Sequence, residues 1–439
     1  MTCDSINRLG CSVIGPALGG FALRLVGAAL GLAFNVVVAR KLGAGEYGVF
    51  ATLTAGVAIL GMIASIGLPA LATRCISSGL ASGDETTAKG TAFLAVLGSM
   101  LASGALAIAV FLIGPWLVGQ MPLLAGTPAA ALAIAIGLVP LQTLALTRAG
   151  IVRGMGRPVA ADLPDLGIRP LLSLILLGSL LVLNDRFSLN EVLEVQLLAA
   201  FVAMVVGAAF VLPLVRAGGG ISLPRNWFSP TVSYWLIGVI GLLLAQLPLY
   251  LLGMFASPAE AGRFAGANQF AGIVLMAITA TEVSVQSRIS SSHSLQDRSA
   301  LQRVVTETAR LGFVVSMLAA VSMVLCAPLA AMLLGPSFEG VASPLRILLI
   351  GYAVNAFFGP SRVLLSMTGN ERVVLNAFLL NMTIMGAFGV LVIPIYGAVG
   401  AATVAVMSSC LVNVGLQLIC WQRLSVFTSP FARNTSQSI

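Results

Sequence analysis

The sequence predicts an all-α integral membrane protein, with about twelve transmembrane helices in two parallel six-helix repeats around a central cleft. Three observations point there. Hydrophobic residues form 58% of the 439-residue chain and charged residues only 9%, with a mean hydropathy of +1.03, whereas soluble domains carry roughly a quarter charged residues. Apolar stretches of bilayer-spanning length, about 20 residues, recur from end to end with short polar breaks. A motif also returns. G-A-G-E-Y-G-V-F-A at 43–51 is echoed by S-P-A-E-A-G-R-F-A at 257–265, so that Glu46/Glu260, Gly48/Gly262 and Phe50/Phe264 each stand 214 apart.

In chain order the predicted spans lie near 13–39, 46–72, 90–114, 129–150, 163–183, 192–215, 231–255, 262–285, 309–334, 343–366, 373–395 and 398–421. The first apolar run is too long for a signal-peptide core, carries Arg24 in its middle and lacks a small-residue cleavage site, so it is expected to stay in the mature chain. Cations then set the orientation. With the N-terminus cytoplasmic, fourteen fall in inside loops and ends, from Arg8 and Arg74 to Arg423 and Arg433, against four outside, Arg40, Lys41, Arg186 and Arg263. By the positive-inside rule both termini are predicted to be cytoplasmic. Topology thus accounts for most of the net charge of +8, and no nucleic-acid partner is expected. Six cysteines without a CxxC pair and a single histidine, His293, give neither a disulfide framework nor a zinc site. No metal and no cofactor are expected.

The repeat reads first as architecture. In the second copy Ser257 stands at an N-cap, Pro258 at the first helical position and Glu260 three residues after the cap, which is a capping box with a tolerated proline. The first copy has Gly43 as a permissive cap and Glu46 at the third position. Gly48 and Gly262 suit close helix approach, and Phe50 and Phe264 suit the membrane interface. R-G-M-G-R at 153–157 and S-M-T-G-N at 366–370 form a second match, 213 apart. Six spans per half make the repeats parallel, one of the arrangements found in transporters. The halves are placed at 1–218 and 219–439, joined by the Gly/Pro-bearing stretch 216–230.

Arg24, Arg148, Arg169, Arg346 and Arg362 fall within predicted spans. Each costs roughly 3 kcal/mol at a central position, so they must snorkel, pair or face water. Arg148, Arg346 and Arg362 lie near span ends and can snorkel. Arg24 and Arg169 are deeper and are the candidate substrate-binding cations. Asp162, Asp165 and Arg169 fall on one helical face at i, i+3 and i+7, flanked by Pro164 and Pro170, which can kink the helix. Arg24 has no acid within four positions, so its partner comes from another helix or a ligand. Glu282 is the deep acid of the second half, a candidate with Asp165 for ion coupling or pairing, here with Arg288 or another nearby cation, or for coupling proton movement. Mid-span Asn35, Asn268 and Asn355, with Gln142, Gln246, Gln269 and Asn381, suit a hydrated cavity for hydroxyl-rich cargo and equally suit hydrogen bonds between helices.

A-R-K-L-G-A-G-E-Y-G-V-F-A (39–51), its echo at 260–265, the M-T-G-N-E-R turn (367–372) and I-P-I-Y-G-A-V-G-A-A (393–402) resemble the polysaccharide (O-antigen, Wzx-type) flippases. These belong to the multidrug/oligosaccharidyl-lipid/polysaccharide (MOP) exporter superfamily. The resemblance implies two six-helix bundles around a cationic cavity in the bacterial cytoplasmic membrane. It also implies translocation of undecaprenyl-diphosphate-linked oligosaccharide by alternating access, with a polysaccharide polymerase and chain-length machinery as partners beside membrane lipids. The connection N-D-R-F-S-L-N-E-V-L-E-V (184–195) departs from the P-x-Y-G-x-x-G-A-A pattern of the second half. Three rivals remain at this stage: a multidrug and toxin extrusion cation antiporter, a membrane-bound polysaccharide polymerase or ligase, and a non-transporting scaffold. The first wants buried acids where this chain has arginines, and the second wants a sizeable outer loop that it lacks.

Overall fold

The computed structural model describes residues 3–183, 187–216, 228–295 and 297–431, and the described residues contain helices and turns without any strand. The predicted division at 218/219, Arg186, Arg225, Arg433 and residues 217–227 of the predicted linker lie outside the described residues, as do 432–439 of the tail and the side chain of His293. The helices are α1 Cys3–Ala64, α2 Leu68–Ser82, α3 Glu85–Gln120, α4 Ala129–Gly154, α5 Pro158–Leu163, α6 Arg169–Leu183, α7 Leu189–Ala209, α8 Leu212–Arg216, α9 Phe228–Phe255, α10 Pro258–Ser294, α11 Arg298–Leu325, α12 Ala327–Leu334, α13 Ala342–Phe357, α14 Ser361–Met367 and α15 Glu371–Leu424.

Among the described residues eight helices are long and apolar enough to cross a bilayer, and the pair α13–α14, bent by 48°, makes a ninth. Two of the eight, α1 and α15, are each interrupted by a glycine of positive φ, Gly43 at 76° and Gly397 at 52°, where any side chain would be strained. Each therefore supplies two crossings, and with α10 the protein is an all-α membrane protein of about twelve spans. Boundaries differ from the predicted ones where backbone donors are missing. The second span stops at Ala64, turns through Ile66 and Gly67, both of positive φ, and restarts at Leu68 just before Pro69. The ninth breaks at Cys326 ahead of Pro328, since a proline has no N–H to continue a helix.

The chain divides into two compact units, Met1–Leu42 with Leu53–Val239, and Gly43–Thr52 with Ile240–Ile439. In the first, α4 packs against α2, α3 and α7. Small residues make this possible: a Cβ on Gly150 would stand 2.7 Å from Pro69 Cα, and one on Gly154 would stand 2.9 Å from Ala72 O. Hydroxyls fill the same seams. Ser99 and Thr147 share a buried hydrogen bond of 2.6 Å, and the Thr73 hydroxyl donates to Gly150 O at 2.9 Å. In the second unit α10, α11, α13, α14 and α15 pack together around Ile289, Val305, Leu364, Leu365, Val374 and Cys420.

Candidate functional site

The fifth span explains where the charges go. Pro164 and Pro170 lack backbone donors, and between them the helix widens into one π turn over Pro164–Ile168, closed by the Arg169 N–H to Pro164 O. Asp165 stays near enough to Arg169 for their charges to interact, but neither acid is hydrogen-bonded to Arg169. Instead each acid meets an arginine from elsewhere. Asp162 accepts from Arg153 at 2.6 Å and from Arg24 at 3.3 Å, while Asp165 pairs with Arg148. Arg169 donates to Gln142 at 3.0 Å and Gln196 at 3.4 Å.

Two glycines let these groups meet. A Cβ on Gly27 would overlap the carbonyl oxygen of Leu166, so α1 lies directly on the π turn and Arg24, one helical turn earlier, reaches Asp162. On α7, a Cβ at Gly207 would stand 2.6 Å from the Arg148 Cδ and Nε, so the glycine vacates the space that the guanidinium fills. Arg148 is therefore not the snorkelling residue its position near a span end suggested. Its side chain is 2% exposed, and its Nε and Nη1 have no hydrogen-bond partner among the described residues. A buried donor left unpaired is costly, and an arginine offers five donors that suit a bidentate anion.

Four guanidiniums, of Arg24, Arg148, Arg153 and Arg169, thus gather with two carboxylates, Asp162 and Asp165, leaving an excess of two positive charges. Arg24 and Arg153 are about half exposed, at 52% and 45%. An excess of guanidinium over carboxylate is chemically suited to holding an anion. The sequence had singled out Arg24, Asp165 and Arg169, but not the role of Arg148, Arg153, Gln196, Gly27 or Gly207. A mid-span glycine three residues from a charge was the signal available for Gly27.

The remaining candidates are placed elsewhere. Asn35, half-buried on α1, donates to Gly31 O at 2.8 Å. Asn268 is half-buried on α10. In the second unit Asn355 accepts from Asn413 at 2.5 Å and lines, with Glu282, Thr281, Thr308 and several apolar residues, a small mixed pocket of about 20 Å³, room for about one water. Glu282 pairs with Arg362 at 3.1 Å, not with Arg288, which faces Glu307 at 4.0 Å. Arg362 is thus paired, and Arg346 is exposed near the start of α13.

The duplicated motif forms a packing joint. Gly48 and Gly262 face each other: a Cβ on Gly48 would stand 2.8 Å from Gly262 N, and one on Gly262 would overlap Ala44. Glu46 lies on α1 just past the Gly43 break. The capping box is only half made, since the Ser257 hydroxyl accepts from Glu260 N at 3.4 Å but the Glu260 carboxylate turns to Arg263 and, at 2.8 Å, to Ala398 N. That bond caps the helix restarting after Gly397. Phe50 and Phe264 are buried, at 3% each, and so pack inside the protein instead of facing lipid as interfacial anchors would.

Residues 21–286 match the profile of a family described as polysaccharide biosynthesis protein. No curated protein sequence matches. Among solved structures, the chain is similar to an inward-facing multidrug resistance MATE family transporter of the MOP superfamily, with a TM-score of 0.78 at 15% identity, covering 93% of this chain and 98% of that one. A MOP superfamily transporter from Pyrococcus furiosus, described as having a binding pocket of reverse polarity, gives 0.68 at 14% identity, covering 93% and 95%. An outward-facing MATE transporter gives 0.64 at 15%, covering 93% and 95%.

Proposed function

The chain belongs to the polysaccharide biosynthesis protein family, with the fold of the MOP-superfamily transporters, and from that premise we propose that it is a flippase for undecaprenyl-diphosphate-linked oligosaccharide. The observation that carries the substrate class is the charge balance around the π turn, four guanidiniums against two carboxylates. A diphosphate diester brings two negative charges, which match that excess. Arg24 and Arg153, half exposed and both oriented by Asp162, meet the phosphates, and charge-assisted arginine–phosphate bonds replace the water lost on entry. Arg148, held by Asp165, and Arg169, held by Gln142 and Gln196, supply the field behind them. No covalent step is needed: the site takes the headgroup from the cytoplasmic leaflet and presents it to the other side by alternating access. On this reading the membrane is a bacterial cytoplasmic membrane, both termini face the cytoplasm, and a polysaccharide polymerase with its chain-length machinery receives the product. A cation antiporter would need the opposite charge balance at this turn.

The test is transport of a fluorescent lipid-linked oligosaccharide in proteoliposomes, scored by accessibility to a membrane-impermeant glycan reagent. Arg24→Gln and Arg169→Gln are each expected to lower the initial rate about tenfold, the size of one charge-assisted bond. Unchanged rates in both variants, at equal protein incorporation, would remove the cationic site from the account.

A further inference from the structure

The second unit carries a groove between α11 and α13 that the arginine cluster does not explain. It encloses about 470 Å³ and is lined only by apolar side chains, among them Phe313, Met317, Ala320, Val321, Ala353 and Phe357. That volume falls within the roughly 300–1,000 Å³ of ligand-holding pockets. The floor is kept low by alanines: Ala320 and Ala353 are buried at 4% and 7%. One end is closed by aromatic rings, since Phe313 and Phe357 stack edge-on at 6.1 Å and both touch Phe431, at 6.3 and 6.1 Å.

At that same end stands a cation. Arg310 lies one helical turn before Phe313 on α11 and is exposed, with its Nε donating to Pro430 O at 2.8 Å. Its two terminal nitrogens have no partner among the described residues. The segment that closes the groove is itself fixed, because Gln302 exchanges two hydrogen bonds with the Phe427 backbone, at 2.7 and 2.9 Å, and the Thr428 hydroxyl meets Ser361 at 2.7 Å. A hydrocarbon slot ending at an exposed guanidinium, fixed through its Nε and paired with no carboxylate among the described residues, complements one chain with one phosphate at its end.

We propose that this groove binds the isoprenoid chain of a polyprenyl phosphate lipid, with the phosphate at Arg310. The inference rests on the flippase reading above and adds to it a second point of attachment. A single groove between two helices takes one chain, whereas a bilayer phospholipid brings two, which is why the occupant is the single-chained lipid. Hydrocarbon in the groove gains packing against fixed side chains that mobile lipid tails do not provide, and the arginine adds a charge-assisted bond.

Native mass spectrometry of the full-length protein in lipid nanodiscs, with added polyprenyl phosphate or dioleoyl phosphatidylglycerol, tests this. The wild type is expected to retain one polyprenyl phosphate about tenfold more tightly than the phospholipid, Ala353→Trp to lose that lipid by filling the slot, and Arg310→Gln to weaken it about tenfold. Met317→Trp, on the exposed wall, repeats the steric block if Ala353→Trp fails to fold. Equal retention of both lipids, or retention unaffected by a folded blocking variant, overturns the proposal. Binding is read without transport, so a chain that fills the groove in a protein that moves no oligosaccharide would count against the flippase reading alone.

Discussion

Gly27→Ala is the most direct probe of how the cationic site is built. The new Cβ would stand 3.1 Å from the carbonyl carbon and Cβ of Leu166 and nearer still to its carbonyl oxygen, where unstrained carbon contacts need about 3.5–4.0 Å. Backbone is met here, so no side-chain rotation relieves the overlap and α1 must withdraw by roughly 1 Å. The Arg24–Asp162 pair, now 3.3 Å, is then carried past the ~4 Å at which such a pair interacts. Overpacking of this kind costs about 1–3 kcal/mol, and the loss of Arg24 positioning should lower transport in step with Arg24→Gln. Gly31→Ala is the control: four residues on in the same helix, a Cβ there meets nothing within 4 Å, so it should be neutral or stabilising by up to about 1 kcal/mol. Thermal unfolding in detergent and the proteoliposome assay read both. If Gly27→Ala matched Gly31→Ala in Tm and transport, the argument that this glycine seats the arginine would be refuted.

Asp165→Leu strands Arg148, 2% exposed, and should cost about 3–5 kcal/mol, while Glu282→Leu leaves Arg362, 47% exposed, free to take up solvent and should change stability by no more than about 1 kcal/mol; thermal unfolding of the two variants compares them. Glu260→Gln leaves Ala398 N with a weaker acceptor and should cost about 1 kcal/mol, measured as faster amide exchange in the first turn after Gly397. Asp84, outside the spans, has its carboxyl held down at about 2 by the Thr86 hydroxyl and the Thr87 backbone N–H. Its folded value lies below the ordinary 3.8, so its contribution is full above that pH and fades as pH falls toward 2. Protection of the Thr87 amide should follow that curve in the wild type and lose its pH dependence in Asp84→Ala.

Fold class was legible because hydropathy and length act residue by residue, and both survive folding unchanged. The pairing of charges was not. Arg24 advertised a missing partner, yet nothing local names Asp162, 138 residues away. Asp162, Asp165 and Arg169 were spaced for an ideal α-helix, and the two prolines that could have warned against that spacing read only as a kink. Arg148 misled for a related reason: distance from a span end measures how easily a side chain can reach water, whereas a neighbouring glycine such as Gly207 decides whether it can stay inside. The capping box at Ser257 was half right because a carboxylate three residues after the cap meets whichever N–H is unsatisfied, and the break at Gly397 supplied one that sequence proximity does not reveal.

The duplication gives this divergence a measure. Arg148 and Arg362 stand 214 residues apart, the same offset as Glu46 and Glu260, and each forms an ion pair with a carboxylate, Asp165 in one case and Glu282 in the other. One is 2% exposed and the other 47%. The carboxylates run the other way, Asp165 at 30% and Glu282 at 15%, so it is the arginine that differs: loss of its partner strands Arg148 in low dielectric, whereas Arg362 can still take up solvent. Gly48 and Gly262 stay alike where backbone meets backbone and a Cβ on either would collide with the other helix of the joint. In the first half three more guanidiniums stand with Arg148, the arrangement on which the proposed anion site rests, while in the second half the arginine's partner, Glu282, lines only a pocket the size of one water.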